Sequence, residues 1–126
     1  MSDPGMLGAR ATITPPGSST AAFHVMNDEV LIGSVNIRAT NPMSFGIYVT
    51  SANVYISSVN VDGNNRLRTA GIQLSTGAFV EYSSVTARTA HAFYMSGIDA
   101  QIYFSTGLSA VTTGYALYIN GSSASY

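Results

Sequence analysis

The sequence predicts an all-β, single-domain solenoid in which each coil lays down short strands joined by corners. The first observation is a five-residue block that recurs at intervals of 21 to 25 residues. Its copies are Ala21-Ala22-Phe23-His24-Val25, Phe45-Gly46-Ile47-Tyr48-Val49, Ala70-Gly71-Ile72-Gln73-Leu74, His91-Ala92-Phe93-Tyr94-Met95 and Tyr115-Ala116-Leu117-Tyr118-Ile119. The second position is always Gly or Ala, the third and fifth are apolar, and the fourth varies, as expected of one strand per coil. The second observation is another block running in phase with the first. It reads Val30-Leu31-Ile32-Gly33-Ser34-Val35-Asn36-Ile37, Val54-Tyr55-Ile56-Ser57-Ser58-Val59-Asn60-Val61 and Val80-Glu81-Tyr82-Ser83-Ser84-Val85-Thr86-Ala87, with a degenerate copy from Ile102. Apolar residues at alternate positions mark the buried face of a strand. Each copy therefore contains two strands about a corner of Ser, Thr or Gly, making three strands per coil.

From the start of the chain, residues 1–20 form an extended N-terminal arm. Asp3-Pro4-Gly5 and Pro15-Pro16-Gly17 punctuate a sparse apolar set, Met6, Leu7 and Ile13, which are the candidate arm contacts. Such an arm caps the first coil or docks on a neighbouring subunit, because an uncovered solenoid end exposes strand edges and core. The solenoid occupies residues 21–126. Asn41-Pro42, Asp62-Gly63-Asn64-Asn65, Ser96-Gly97 and Asn120-Gly121 supply turns between the strand blocks. Ala124-Ser125-Tyr126 corresponds to the start of Val30-Leu31-Ile32, so the last coil is expected to be completed by a longer chain or by another chain. Recurrent Pro, Gly and β-branched residues leave no stretch for a helix of ordinary length. A leucine-rich repeat shares the period, and residues 56–64 fit its strand motif, but Leu is scarce and the Asn does not recur at that offset.

At 126 residues the chain fits one domain of about four and a half coils, with no room for a separate catalytic unit. Charged residues make up 9% of it, against about 25% in a typical soluble domain, so much of the surface must be Ser, Thr, Asn, Gly and Tyr. A formal charge of −1 with no basic run argues against nucleic acid or an anionic membrane as partner. Lacking Cys, the chain has no disulfide, thiol chemistry or thiolate metal site. The first thirty residues show no secretory signal, and the uncharged stretch 100–126 is too interrupted by Ser, Thr, Gly and Asn for membrane insertion.

The stacked apolar blocks, with Ile56-Ser57-Ser58-Val59-Asn60-Val61 and Asp62-Gly63-Asn64-Asn65, resemble right-handed parallel β-helices of the pectate-lyase type, and among them β-helical surface proteins of bacteriophages such as tail spikes. The resemblance covers residues 21–126. It implies a right-handed parallel β-helix of about 4–5 coils, homotrimeric assembly, and a place in a virion as tail spike, fibre or capsid decoration (cement) protein. Many members of that family bind or cleave bacterial surface polysaccharides. Typical tail spikes are several times longer and carry an attachment domain, so receptor cleavage is not expected of these 126 residues.

No catalytic constellation emerges from the residues. A glycosidase needs two facing carboxylates, yet Asp3, Asp28, Glu29, Asp62, Glu81 and Asp99 do not recur in register: the positions equivalent to Glu81 read as Leu31, Tyr55 and Tyr103. Asp28-Glu29 lacks the further oxygen ligands of a divalent cation site. His24 and His91 have no partner at ligand or triad spacing, and no glycine loop for a phosphate is present. The chain is therefore expected to be non-enzymatic, with no cofactor and no metal.

What remains is surface. The variable fourth position of the first block carries His24, Tyr48, Gln73, Tyr94 and Tyr118, predicted to stack as a stripe on one face. Its readings are a subunit interface, simple cross-strand stacking, or contact with host glycan. Asn36, Asn60 and Thr86 are expected to align as a polar ladder. Arg66 and Arg68, beside Asn64 and Asn65, form the only polar protrusion with local positive charge, a solvated loop or a contact for a partner's acidic patch. The expectation is thus a trimeric virion structural protein contacting other capsid or tail proteins; the alternative is a carbohydrate-binding or depolymerising tail-spike segment.

Overall fold

A computed structural model describes residues 10–17, 19–110 and 114–120. Following β1 (Ala11–Ile13), the first full coil contains β2 (Ala21–Val25), β3 (Leu31–Gly33) and β4 (Val35–Arg38). The second contains β5 (Met43–Val49), β6 (Tyr55–Ser57) and β7 (Asn60–Asp62), and the third β8 (Leu67–Leu74), β9 (Phe79–Glu81) and β10 (Ser84–Thr86). The fourth contains β11 (His91–Met95), β12 (Gln101–Tyr103) and β13 (Thr106–Leu108), after which β14 (Leu117–Ile119) begins the next. Equivalent strands of successive coils pair in parallel and build three sheets. Sheet A runs β1-β4-β7-β10-β13, sheet B β14-β11-β8-β5-β2, and sheet C β12-β9-β6-β3. No helix occurs among the described residues. The arrangement is a parallel β-helix, consistent with the right-handed sense that parallel crossovers adopt.

Sheet B follows the first sequence block residue for residue. Phe23, Ile47, Ile72, Phe93 and Leu117 align, as do His24, Tyr48, Gln73, Tyr94 and Tyr118. The 25-residue interval between the second and third copies arises from a bulge: Met43 pairs with Leu67 but Phe45 with Ala70. Inward side chains from the three sheets meet along the axis. Val49, Ile56 and Val61 fill it in one coil and Leu74, Val80 and Val85 in the next, all essentially without solvent contact. Each such aliphatic side chain stabilises by about 1.5–3 kcal/mol relative to exposure.

The small second position of the block has a steric cause. A β-carbon on Gly46 would lie 2.7 Å from Val61 Cγ1 and 2.7 Å from the Gly71 carbonyl oxygen. One coil on, Gly71 faces Val85 in the same way, whereas in the fourth coil Ala92 is accommodated because Gly107 stands opposite it. Sheets A and B thus approach closely, and bulk on one is matched by its absence on the other.

Two corners are built on left-handed residues stacked coil upon coil. Between sheets B and C these are Glu29, Asn53, Gly77 and Asp99, with φ of 61°, 57°, 65° and 57°. Between C and A they are Ser34, Ser58, Tyr82 and Phe104, at 54°, 57°, 48° and 45°. Their amides bond to the next coil: Glu29 N–H donates to Ala52 O at 3.1 Å and Ser58 N–H to Glu81 O at 3.1 Å.

The second block requires one correction. Ile56 pairs with Val80 and Val61 with Val85, so the third copy lies two residues away from the alignment expected above. Glu81 is equivalent to Ser57, Gly33 and Tyr103, not to Leu31 or Tyr55. The polar ladder is likewise Asn36, Asn60, Ser84 and Thr106, not Thr86, and Ser84 Oγ donates to Asn60 Oδ1 at 2.7 Å. A slip of two residues preserves the inward and outward alternation, so apolar pattern alone does not detect it.

Within the arm, β1 joins sheet A beside β4. Ile13 pairs with Ile37 and packs against the core, while Arg10 Nη1 donates to Ser58 O at 2.9 Å. Met6 and Leu7 lie outside the described residues.

Candidate functional site

Outward side chains of sheet B form the predicted stripe. His24 and Tyr48 stack at 4.7 Å between ring centroids and 24° between planes, while Tyr94 and Tyr118 lie at 5.1 Å and 53°. Gln73 interrupts the rings and donates through Nε2 to Ser96 Oγ at 3.1 Å. Polar tips are tied down at both ends. Thr50 Oγ1 lies 3.3 Å from His24 Nε2, and Asn120 Nδ2 donates to Tyr94 Oη at 3.1 Å.

Three further rings belong to this face and escaped the sequence reading. Phe45 stacks on Tyr48 at 4.3 Å and 4°. His91 stacks on Tyr118 at 4.6 Å and 8°, and on Tyr115 at 5.5 Å and 9°. Its Nδ1 accepts from the Tyr115 amide at 3.1 Å, which places the ring proton of the neutral form on Nε2. Desolvation holds the His91 pKa below its usual value. Strand alternation gave no signal for these rings: His91 and Tyr115 occupy the first position of the block, three residues before the fourth, and share its face only because two adjacent residues, such as Ala92 and Phe93, both turn inward.

A second aromatic row lies on sheet C. Tyr55 and Phe79 stack at 5.3 Å and 4°, and Phe79 and Tyr103 lie at 5.1 Å and 31°. Parallel rings at that separation cannot lie side by side, so they overlap and turn edges rather than faces to solvent. The Tyr55 hydroxyl donates to the Glu81 carboxylate, and that bond is the leading reason its pKa is raised. At the adjoining corner Tyr82 and Phe104 stack at 5.4 Å and 9°, with 59% and 77% of their surface exposed. Bulky left-handed residues are uncommon, and these two replace Ser34 and Ser58 of the earlier coils.

The acids take separate places. Asp28 Oδ1 accepts from the Ala52 amide at 2.8 Å, Asp62 lies 3.9 Å from Arg38, and Glu81 receives Tyr55. Glu29 and Asp99 sit at left-handed corners. Among the described residues no three His, Cys, Asp or Glu side chains gather as a metal site would require. An apolar hollow of about 190 Å³ lies between Phe93, Ile102, Phe104 and Leu117. No family model, curated protein or solved structure matches the chain. The site must therefore be judged on its own geometry. That geometry is two aromatic faces and an exposed aromatic corner on a charge-poor prism, with each described carboxylate except Glu29 and Asp99 bonded or paired.

Proposed function

We propose that this chain is a non-enzymatic structural protein of a bacteriophage particle, a homotrimeric capsid decoration or tail spike or fibre component. The observation that carries the assembly is the in-register stripe of His24, Tyr48, Gln73, Tyr94 and Tyr118. Aromatic residues with polar tips, in five-residue blocks that contain no Asp, Glu, Lys or Arg, match the composition of interface cores. The phage setting comes from the resemblance stated above, and capsid or tail proteins are its partners there. Dispersal of the carboxylates among caps, corners and pairs supports a structural role over hydrolysis, since hydrolysis would need two of them facing.

Sedimentation of the intact chain tests this reading. A trimer that dissociates on Tyr94→Arg is expected, with binding to particles lost together with assembly. An intact chain that stays monomeric at high concentration and does not associate with particles overturns it.

The Tyr82–Phe104 corner favours a second reading, recognition of a host glycan. Ser58 precedes Tyr82 in the corner column, so no ring from the previous coil covers the outer face of Tyr82. An exposed ring face is the platform a sugar needs. Saturation-transfer NMR with host polysaccharide, compared between the native chain and Tyr82→Ser, decides it: no transfer to either chain removes this reading.

A further inference from the structure

The charges of the prism are sorted by edge. Arg38, Arg66, Arg68 and Arg88, four of the five basic residues in the chain, stand where sheet A turns into sheet B. The acid beside them is Asp62, 3.9 Å from Arg38. Asp28, Glu29 and Asp99 stand at the other border of sheet B, where it turns into sheet C. Arg66, Arg68 and Arg88 make no ion pair among the described residues.

The two edges also differ in relief. Two adjoining grooves of about 440 Å³ each meet at Pro42 and Arg68, and Arg66 lines one of them. The acidic edge has a smaller hollow, of about 290 Å³, and exposes apolar side chains at it and beside its charges: Met26 and Leu31 are 70% and 69% exposed around Asp28-Glu29, and Ile98 is 44% exposed beside Asp99. One border offers grooves lined by guanidinium groups, and the other offers apolar knobs carrying carboxylates.

We propose that these borders are the two halves of one contact between copies of this chain: the acidic edge of one copy seats on the basic edge of the next, with solenoid axes parallel. The inference rests on the reading that the chain self-assembles and adds which surfaces meet. In parallel alignment Asp28-Glu29 comes to the level of Arg38, and Asp99 to that of Arg88, so both ends of the edge find opposite charge. The contact is heterologous, joining different patches on each copy. Because both edges border sheet B, successive copies turn toward that sheet and close a ring around the aromatic stripe. Arg is suited to the task because its planar fork binds carboxylates bidentately. Rim charges of this kind set orientation and association rate, while the enclosed rings supply the apolar burial.

The test is sedimentation velocity on the full chain in low and high salt, with two edge variants and their combination. Arg38→Glu with Arg88→Glu, and separately Glu29→Lys with Asp99→Lys, are each expected to weaken self-association by about tenfold or more, since like charges then meet. The chain carrying all four changes regains it, because complementarity is restored with the polarity exchanged. Native assembly weakens as salt screens the edges. Circular dichroism of each variant establishes that the fold is kept, and the salt series needs no variant. Assembly that is unchanged in both single-edge variants and indifferent to salt overturns the edge pairing but leaves self-association standing. A native chain that is monomeric throughout overturns both.

Discussion

The side chain of Val85 occupies the place where Gly71 would carry a β-carbon. Sheets A and B have no spare volume at this level, and the neighbouring Ala92 carbonyl closes the other side. Gly71→Ala is expected to destabilise by about 1–3 kcal/mol, the usual cost of overpacking. Val85→Ala alone also destabilises, through lost burial. The double variant recovers part of the loss, and a double-mutant cycle from urea titrations gives the coupling.

Ser83 invites the wrong repair. It lies buried in the column of Val35 and Val59, where an apolar side chain looks better suited. Yet Ser83 Oγ accepts the Val59 amide at 3.1 Å and donates to Glu81 O at 3.0 Å. Ser83→Val makes the column uniformly apolar but leaves the Val59 amide unsatisfied, and is expected to destabilise by about 1–3 kcal/mol in thermal or urea unfolding.

His91 makes stability depend on acidity. Its pKa in the folded chain lies below the ordinary 6.5, so between the two values the unfolded chain binds more protons. The stabilisation is full above 6.5 and falls as pH drops through that value. Melting curves from neutral to mildly acidic pH should show the decline, and His91→Phe should flatten it. An equally steep decline in that variant would remove His91 as the cause.

Tyr55 acts at the opposite end of the scale. Its hydroxyl holds its proton above the ordinary 10.0 because it donates to Glu81, whose charge also opposes ionisation. The contribution is present below 10.0 and is lost as pH rises through the folded value. In Glu81→Gln the Tyr55 titration, followed by NMR of labelled tyrosine, should move down toward the ordinary value.

Sheet B was legible because its five blocks keep both spacing and a steric signature, the small residue opposite a bulky neighbour. Sheets A and C were legible as strands but not in register. Ser57-Ser58 and Ser83-Ser84 look alike, yet Ser84 lies beside Asn60, and Ser83 beside Val59, whose inward place it takes with a bonded hydroxyl. The corner columns were hidden for another reason. Glycine is the expected marker of left-handed backbone, but only Gly77 carries it there, while Glu29, Tyr82 and Phe104 show no local sign of it. Of the candidate site, the stripe was readable from position alone. Phe45 joins it by stacking on Tyr48 of its own strand, and His91 and Tyr115 by stacking on each other across coils, all from a first position that strict alternation would turn to the opposite face. Edge sorting of charge was unreadable until the path of the chain around the prism assigned each Arg and Asp to a border.

The column Val35, Val59, Ser83, Ser105 exchanges hydrocarbon for hydroxyl along the axis, and Gly107 continues the thinning where earlier coils have Val61 and Val85. In a stack where each coil leans only on its neighbours, local stability adds up coil by coil. The molecule is therefore graded from one end to the other. Backbone amides of β12 and β13 should exchange with solvent deuterium well before those of β5 and β6, and partial unfolding should travel from the later coils toward the earlier ones.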